Sequence, residues 1–197
     1  MNLLDSSFLC LDIGTSGVRG IAHRVRSGRI AKSSMFSVDS FDTIFAIKSV
    51  IDELETQIGD HFDNAYITGN LGESLFKISP KTKNWRGEHK ITQSDVGGLI
   101  SQITPPADFY PLHIIPLRYE TPNIQKLYTP VGYTDTGLTA IFGAIFYASS
   151  GMEKITSLLR AAHIQPISLF DPQFLQNTEH HTKKNAELYI DFGAEYT

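Results

Sequence analysis

The stretch FLCLDIG, residues 8–14, sets a single acid, Asp12, inside an otherwise apolar run that ends at a glycine. Such a run, closed by a glycine-bearing turn, reads as a buried strand. An unpartnered carboxylate in a buried strand is costly, so the charge is expected to meet a partner at the strand's end. The motif recurs near the C-terminus, where YIDFG places Asp191 before Gly193 as Asp12 stands before Gly14. Each acid precedes a turn whose backbone amides could face an anion. A hydrated magnesium ion would satisfy both carboxylates, because Mg²⁺ keeps several waters and takes one or two carboxylates beside nucleotide phosphates.

Bulk properties narrow the field. The chain has 197 residues, of which 41% are hydrophobic, enough for the core of one domain or two small ones. A net charge of -4 argues against a nucleic-acid footprint over the whole chain. The one cysteine, Cys10, excludes an internal disulfide, and the start MNLLD lacks the basic, apolar pattern of a signal peptide, so a cytoplasmic location is expected. No apolar run approaches the roughly 20 residues needed to cross a bilayer, so membrane attachment would have to lie outside these residues.

Periodicity predicts three extended segments, 8–13, 18–25 and 29–38, joined by GTSG and RSGR as an antiparallel meander. A helix follows, capped by Ser40 or Asp42, with Ile44, Ile47, Ile51, Leu54 and Ile58 at helical spacing and Gly59 at its end. Residues 65–68 read as a strand. Beyond them the character changes: a strand at 75–78, a polar loop at 79–90, and a helix at 92–103 capped by Thr92 or Ser94. Two long strands come next, 109–120 and 137–149, separated by a Pro- and Gly-bearing connection. Helical spacing resumes at 152–163, and strands are expected at 167–170 and 186–193.

Other phosphate-binding signatures are absent. There is no G-x-x-x-x-G-K-[ST], and Gly14, Gly17 and Gly20 are spaced G-x-x-G-x-x-G and followed by strand, which misses the dinucleotide fingerprint.

The residues quoted so far resemble a known superfamily. LDIGTSGVRG looks like the first phosphate turn, and YIDFGAEYT like the second, of the actin, sugar kinase and Hsp70 ATPases. Within it the chain most resembles the FtsA family of bacterial cell-division proteins. The ITQSD helix start at 91–95, the strand with His113, Ile114, Ile115, Pro116 and Tyr119, and the turn Pro130, Val131, Gly132 match that family's motifs in order. The resemblance implies an α/β fold: a ribonuclease H-like actin-type ATPase lobe (residues 1–70 and 150–197, the last including the first strand of a second lobe), with an inserted strand-helix-strand-strand module at 71–149. It implies ATP and Mg²⁺ as ligands, weak ATPase activity at most, polymerisation, and tethering of the FtsZ ring to the inner membrane. FtsZ would bind through a second lobe and the membrane through a C-terminal amphipathic helix, both expected outside this chain. The module would contact neighbouring protomers or later division proteins.

By the same resemblance Asp12 and Asp191 hold magnesium through water, and Gly14, Thr15, Ser16, Gly17 and Gly193 contact phosphate. The alternative is a pair of turn aspartates and an ordinary hairpin. Arg19 could reach the phosphates or lie on a strand surface. Asp171 stands where relatives often place a glutamate near the attacking water, although an aspartate before Pro172 also suits a helix cap. The chain departs from the family at Ala194 and Glu195, where two glycines are usual. Glu195 adds a like charge worth roughly 1–4 kcal/mol of repulsion at ~4 Å. A scaffold with a decayed nucleotide site is the alternative function, and a small-molecule kinase a more distant one. Lys77, Lys81, Lys83, Arg86 and Lys90 around Trp85 read as a solvated loop more than as a nucleic-acid surface. Adjacent His180 and His181 have poor spacing for a metal. Tyr119, Ile141, Phe142, Ile145 and Phe146 are expected in the core or, if exposed, at a partner interface.

Overall fold

The structure, a computed structural model, describes residues 5–69 and 72–171. It is mixed α/β, with two sheets and three helices among those residues. In chain order the elements are β1 (Asp5–Ile13), β2 (Gly17–Arg26), β3 (Arg29–Asp39), α1 (Thr43–Ile58), β4 (Asn64–Gly69), β5 (Ser74–Lys90), α2 (Gln93–Ile100), β6 (Phe109–Thr121), β7 (Ile124–Leu127), β8 (Thr134–Ala148), α3 (Ser149–Ala161) and β9 (Gln165–Phe170). They divide into two compact units, one from the described parts of 1–73 and 150–197, the other Ser74–Ser149.

In the first unit the sheet order is β3-β2-β1-β4-β9. The first three strands form an antiparallel meander, while β4 and β9 run parallel to β1. Alternation along β1 turns Leu9, Leu11 and Ile13 into the core, where they lie fully buried with Val18 and Ala22 of β2. The inward face of α1, carrying Ala46, Ile47, Val50, Ile51, Leu54 and Ile58, covers them. Full burial of one such leucine stabilises the unit by about 1.5–3 kcal/mol. Asp42, not Ser40, caps α1, accepting from the Phe45 amide at 3.0 Å. Gly59 ends the helix at φ 77°, a left-handed conformation that glycine adopts without steric cost, and its amide donates to the Glu55 carbonyl at 2.7 Å. Arg24 braces that end, donating to the Gly59 carbonyl at 2.7 Å and to Asp60 Oδ2 at 2.8 Å.

Glycines of the G-x-x-G-x-x-G run have a packing role that the sequence pattern did not reveal. A Cβ at Gly20 would collide with Val50 and Leu54, so α1 lies directly on the β2 backbone there. A Cβ at Gly17 would stand 2.7 Å from the Val38 carbonyl oxygen of β3.

In the second unit the sheet order is β5-β8-β6-β7, and each neighbouring pair is antiparallel. Its core joins Ile91, Val96, Leu99, Tyr119, Leu127, Leu138, Ala140, Phe142, Ala144 and Phe146. Phe142 and Phe146 are fully buried and Tyr119 nearly so within this core, while Ile145, also buried, and half-buried Ile141 lie on the opposite face of the sheet. Thr92 begins α2 with a capping box: its hydroxyl accepts from the Asp95 amide, and the Asp95 carboxylate accepts from the Thr92 amide at 2.9 Å.

Three expectations need correction here. Residues 79–90 are strand, not polar loop: β5 continues to Lys90, paired with β8 across an irregularity between Asn84 and His89. Its half-buried positions are Ser79, Lys81, Lys83, Trp85 and His89, where aliphatic stems and rings do the covering that apolar residues usually do. The connection after β6 holds a short strand, β7, where none was expected; Asp135 supports that hairpin by accepting from the Asn123 side-chain amide at 3.1 Å and the Thr136 amide at 2.7 Å. Finally, α2 stops at Ile100 rather than 103.

Candidate functional site

Three parallel strands of the first unit, β1, β4 and β9, end on the same side of the sheet, at Ile13, Gly69 and Phe170. Carboxyl ends of parallel strands are where open α/β sheets bind ligands. Register places Arg19, Asp12, Thr68 and Phe170 in one row across β2, β1, β4 and β9. Gly69 closes the row tightly, since a Cβ there would stand 2.7 Å from the Ile13 carbonyl oxygen. Asp171, 3% exposed, follows Phe170 at the end of β9. The helix it was expected to cap would start beyond the described residues.

Asp12 corrects the reasoning that singled it out. It is exposed, not buried: strand alternation sends Leu9, Leu11 and Ile13 toward α1 and Cys10 and Asp12 to the opposite face. Its carboxylate therefore carries no heavy desolvation cost, and the sequence argument from a buried unpaired charge fails. Position remains its distinguishing feature, two residues before the β1–β2 turn. Arg19, directly opposite in the ladder, is also exposed. Thr68, opposite on the other side, has a buried hydroxyl that finds no hydrogen-bond partner among the described residues.

The turn itself is closed by the Gly14 amide, which donates to the Gly17 carbonyl at 2.9 Å, and anchored by the Ser40 amide, which donates to the Ser16 carbonyl at 3.0 Å. Among the described residues the amides of Thr15 and Ser16 donate to no backbone carbonyl. Two consecutive amides of this kind beside an exposed acid are a donor set compatible with a phosphate and a water-coordinated magnesium ion. Asp191 and Gly193, along with Ala194, Glu195, His180 and His181, lie outside the described residues.

Two further polar constellations were not anticipated as such. In the second unit Asp95, 6% exposed, accepts from Lys83 Nζ at 2.8 Å, from Thr92 and, at 2.9 Å, meets His89 Nε2. The Lys83 ammonium, the Thr92 hydroxyl and amide and the His89 ring hold its carboxyl well below the usual carboxylate range. His89 stacks on Trp85 at 4.4 Å between ring centroids, and Lys83 Nζ lies 5.6 Å from the same ring. This cluster fastens β5 to the start of α2. Thr92 and an acid three positions on were its visible sequence signal. In the first unit Arg24, Asp60 and Ser7 form a network on the rim of a groove of about 750 Å³, lined also by Phe8, Arg26 and Tyr66. That groove lies toward the start of β1, away from the Asp12 turn.

Among the described residues no group of three or more His, Cys, Asp or Glu is placed to hold a metal ion, and no helix is long and apolar enough to cross a membrane. No family model matches the sequence, and no curated protein matches it. Among solved structures, the chain is similar to one titled "PilM-PilN type IV pilus biogenesis complex", at 12% identity and a TM-score of 0.43, over 85% of this chain and 48% of that one. The chain thus spans about half the length of that structure's chain.

Proposed function

We propose that the first unit is an actin-type, ribonuclease H-like ATPase lobe, and that the chain acts as an FtsA-like filament-forming adaptor in bacterial cell division. The observation that carries the reading is the coincidence of Asp12 with a turn whose Thr15 and Ser16 amides donate to no backbone carbonyl among the described residues, at the end of the central strand of a β3-β2-β1-β4-β9 sheet. The order of three antiparallel strands, helix, strand, then helix and strand after an insert supports that lobe. The unit Ser74–Ser149 stands where the inserted module of that family would be. In this reading Asp12 and Asp191 hold hydrated Mg²⁺ and the segment from Gly14 to Gly17, with Arg19 and Gly193, takes the ATP phosphates. The protein would work on the cytoplasmic face of the inner membrane. FtsZ and the membrane would be engaged through parts expected beyond this chain, and later division proteins through the module.

Ala194 and Glu195 favour a second reading, a scaffold whose nucleotide site has decayed. Isothermal titration of Mg·ATP into the full-length protein separates the two. Saturable heat that is lost in Asp12→Asn supports the first reading. Absence of heat refutes nucleotide binding and leaves the scaffold.

A further inference from the structure

We infer that the outer edge of β5, unpaired among the described residues, accepts an extended peptide as a fifth strand of the second sheet, and that this peptide alternates acidic and apolar side chains. The inference goes beyond the nucleotide-dependent reading and does not rest on it.

β5 is 17 residues long and, among the described residues, outermost in its sheet and paired only with β8. Its other side offers backbone amides and carbonyls, the groups through which a sheet takes up an added strand. The two faces of β5 define the guest. Ladder partners share a face, so Phe76 with Ile145, Ile78 with Gly143 and Pro80 with Ile141 form one surface. This surface lies opposite the one bearing the core residues Ala140, Phe142, Ala144 and Phe146. Its outer side chains are open: Phe76, Ile78 and Leu117 are 58%, 59% and 53% exposed, whereas Gly143 and Ile145 of β8 between them are buried. Gly143 lets it lie flat, since a Cβ there would stand 2.9 Å from the Phe76 ring.

On the alternate positions stand Lys77, Lys81 and Lys83. Lys83 is engaged by Asp95, whereas among the described residues no carboxylate pairs with Lys77 or Lys81. A neighbouring strand would therefore meet hydrocarbon on one face and ammonium groups on the other, which matches a guest with apolar side chains on the first and carboxylates on the second. Nucleic acid fits less well. Single strands need open aromatic platforms, and Trp85 is already stacked against His89. Pro80, tolerable in an edge strand, supplies no amide and so limits indiscriminate sheet growth on this side.

The test is fluorescence anisotropy with the 197-residue chain and a labelled peptide of about eight residues alternating Asp and Val, a typical strand length. Controls are a peptide of the same composition with its charges in one block, an alternating peptide N-methylated at every second amide, and oligothymidylate. The expected result is saturable binding of the alternating peptide, weakened roughly tenfold by the double change Lys77→Glu and Lys81→Glu. N-methylation should weaken it at least as much on the unaltered protein, so the conclusion does not depend on the variant folding. Equal binding of the block or N-methylated peptide would show a diffuse charge effect and overturn the inference. So would equally effective competition by oligothymidylate, or no saturation at peptide concentrations up to about 1 mM.

Discussion

Replacing Asp95 with alanine removes its contacts to Lys83, His89, the Thr92 amide and the Thr92 hydroxyl in one step. Loss of the capping box costs about 1 kcal/mol. The contact with Lys83, whose side chain is 41% exposed, adds no more than about 1 kcal/mol after solvent screening. The His89 contact adds about 0.5–1.5 kcal/mol. The expected loss is therefore about 2–3 kcal/mol, equivalent to roughly 10–20 °C in the melting temperature of a unit this size. Trp85 is the single tryptophan of the chain and stacks on His89 within the cluster, so its fluorescence in a urea titration follows this unit. Asp95→Asn keeps an acceptor for Thr92 but loses the charge, and should fall about midway. The pH dependence has a defined sign. Because the folded carboxyl is held below its ordinary value of 3.8, the unfolded chain binds the proton more readily, so this stabilisation is complete above about pH 5 and is lost as acidification proceeds through pH 4 and below. An alanine variant within about 0.5 kcal/mol of the unaltered protein, or one whose stability difference does not shrink in acid, would refute the assignment of Asp95 as the anchor of α2.

Other positions give independent tests. Gly20→Val should lower stability by about 1–3 kcal/mol through overpacking against Val50 and Leu54, measured by thermal denaturation. Gly59→Ala, at φ 77°, should cost about 1 kcal/mol in the same assay without altering the fold seen by circular dichroism. Asp12→Asn should change stability by less than about 0.5 kcal/mol, because the carboxylate is exposed, while abolishing the heat of Mg·ATP binding by the full-length protein. A large loss of stability with nucleotide heat intact would reverse the role given to this residue.

What was legible in the sequence follows from how each element is held. β1 to β4 and α1 were readable because local signals agree: apolar segments bounded by glycine-bearing turns, an Asp42 cap, a Gly59 stop. The far half of β5 was not, since its half-buried positions are Ser79, Lys81, Lys83 and Trp85, and the acid that organises them, Asp95, belongs to a helix on the far side of a turn. Four-residue β7 is held by Asp135, whose role no local pattern announces. At the candidate site the sequence located Asp12 and its turn, but the continuous apolar run hid the alternation that exposes the carboxylate. Gly17 and Gly20 drew notice for phosphate chemistry, whereas the close approach of β3 and α1 demands them. The second acidic turn, with Asp191, belongs to residues outside those described.

Ser74, where the chain enters the second unit, lies opposite Tyr147, where it is about to leave. Entrance and exit therefore form a single rung of one ladder, about 5 Å apart. A segment tethered in this way is exchangeable like a cassette: it could be gained, shortened or replaced during evolution with no more host chain to respan than a hairpin requires. Among the described residues the host's own ladder from β3 to β9 contributes no strand to it and borrows none, so selection could remodel the inserted surface while leaving the Asp12 turn untouched.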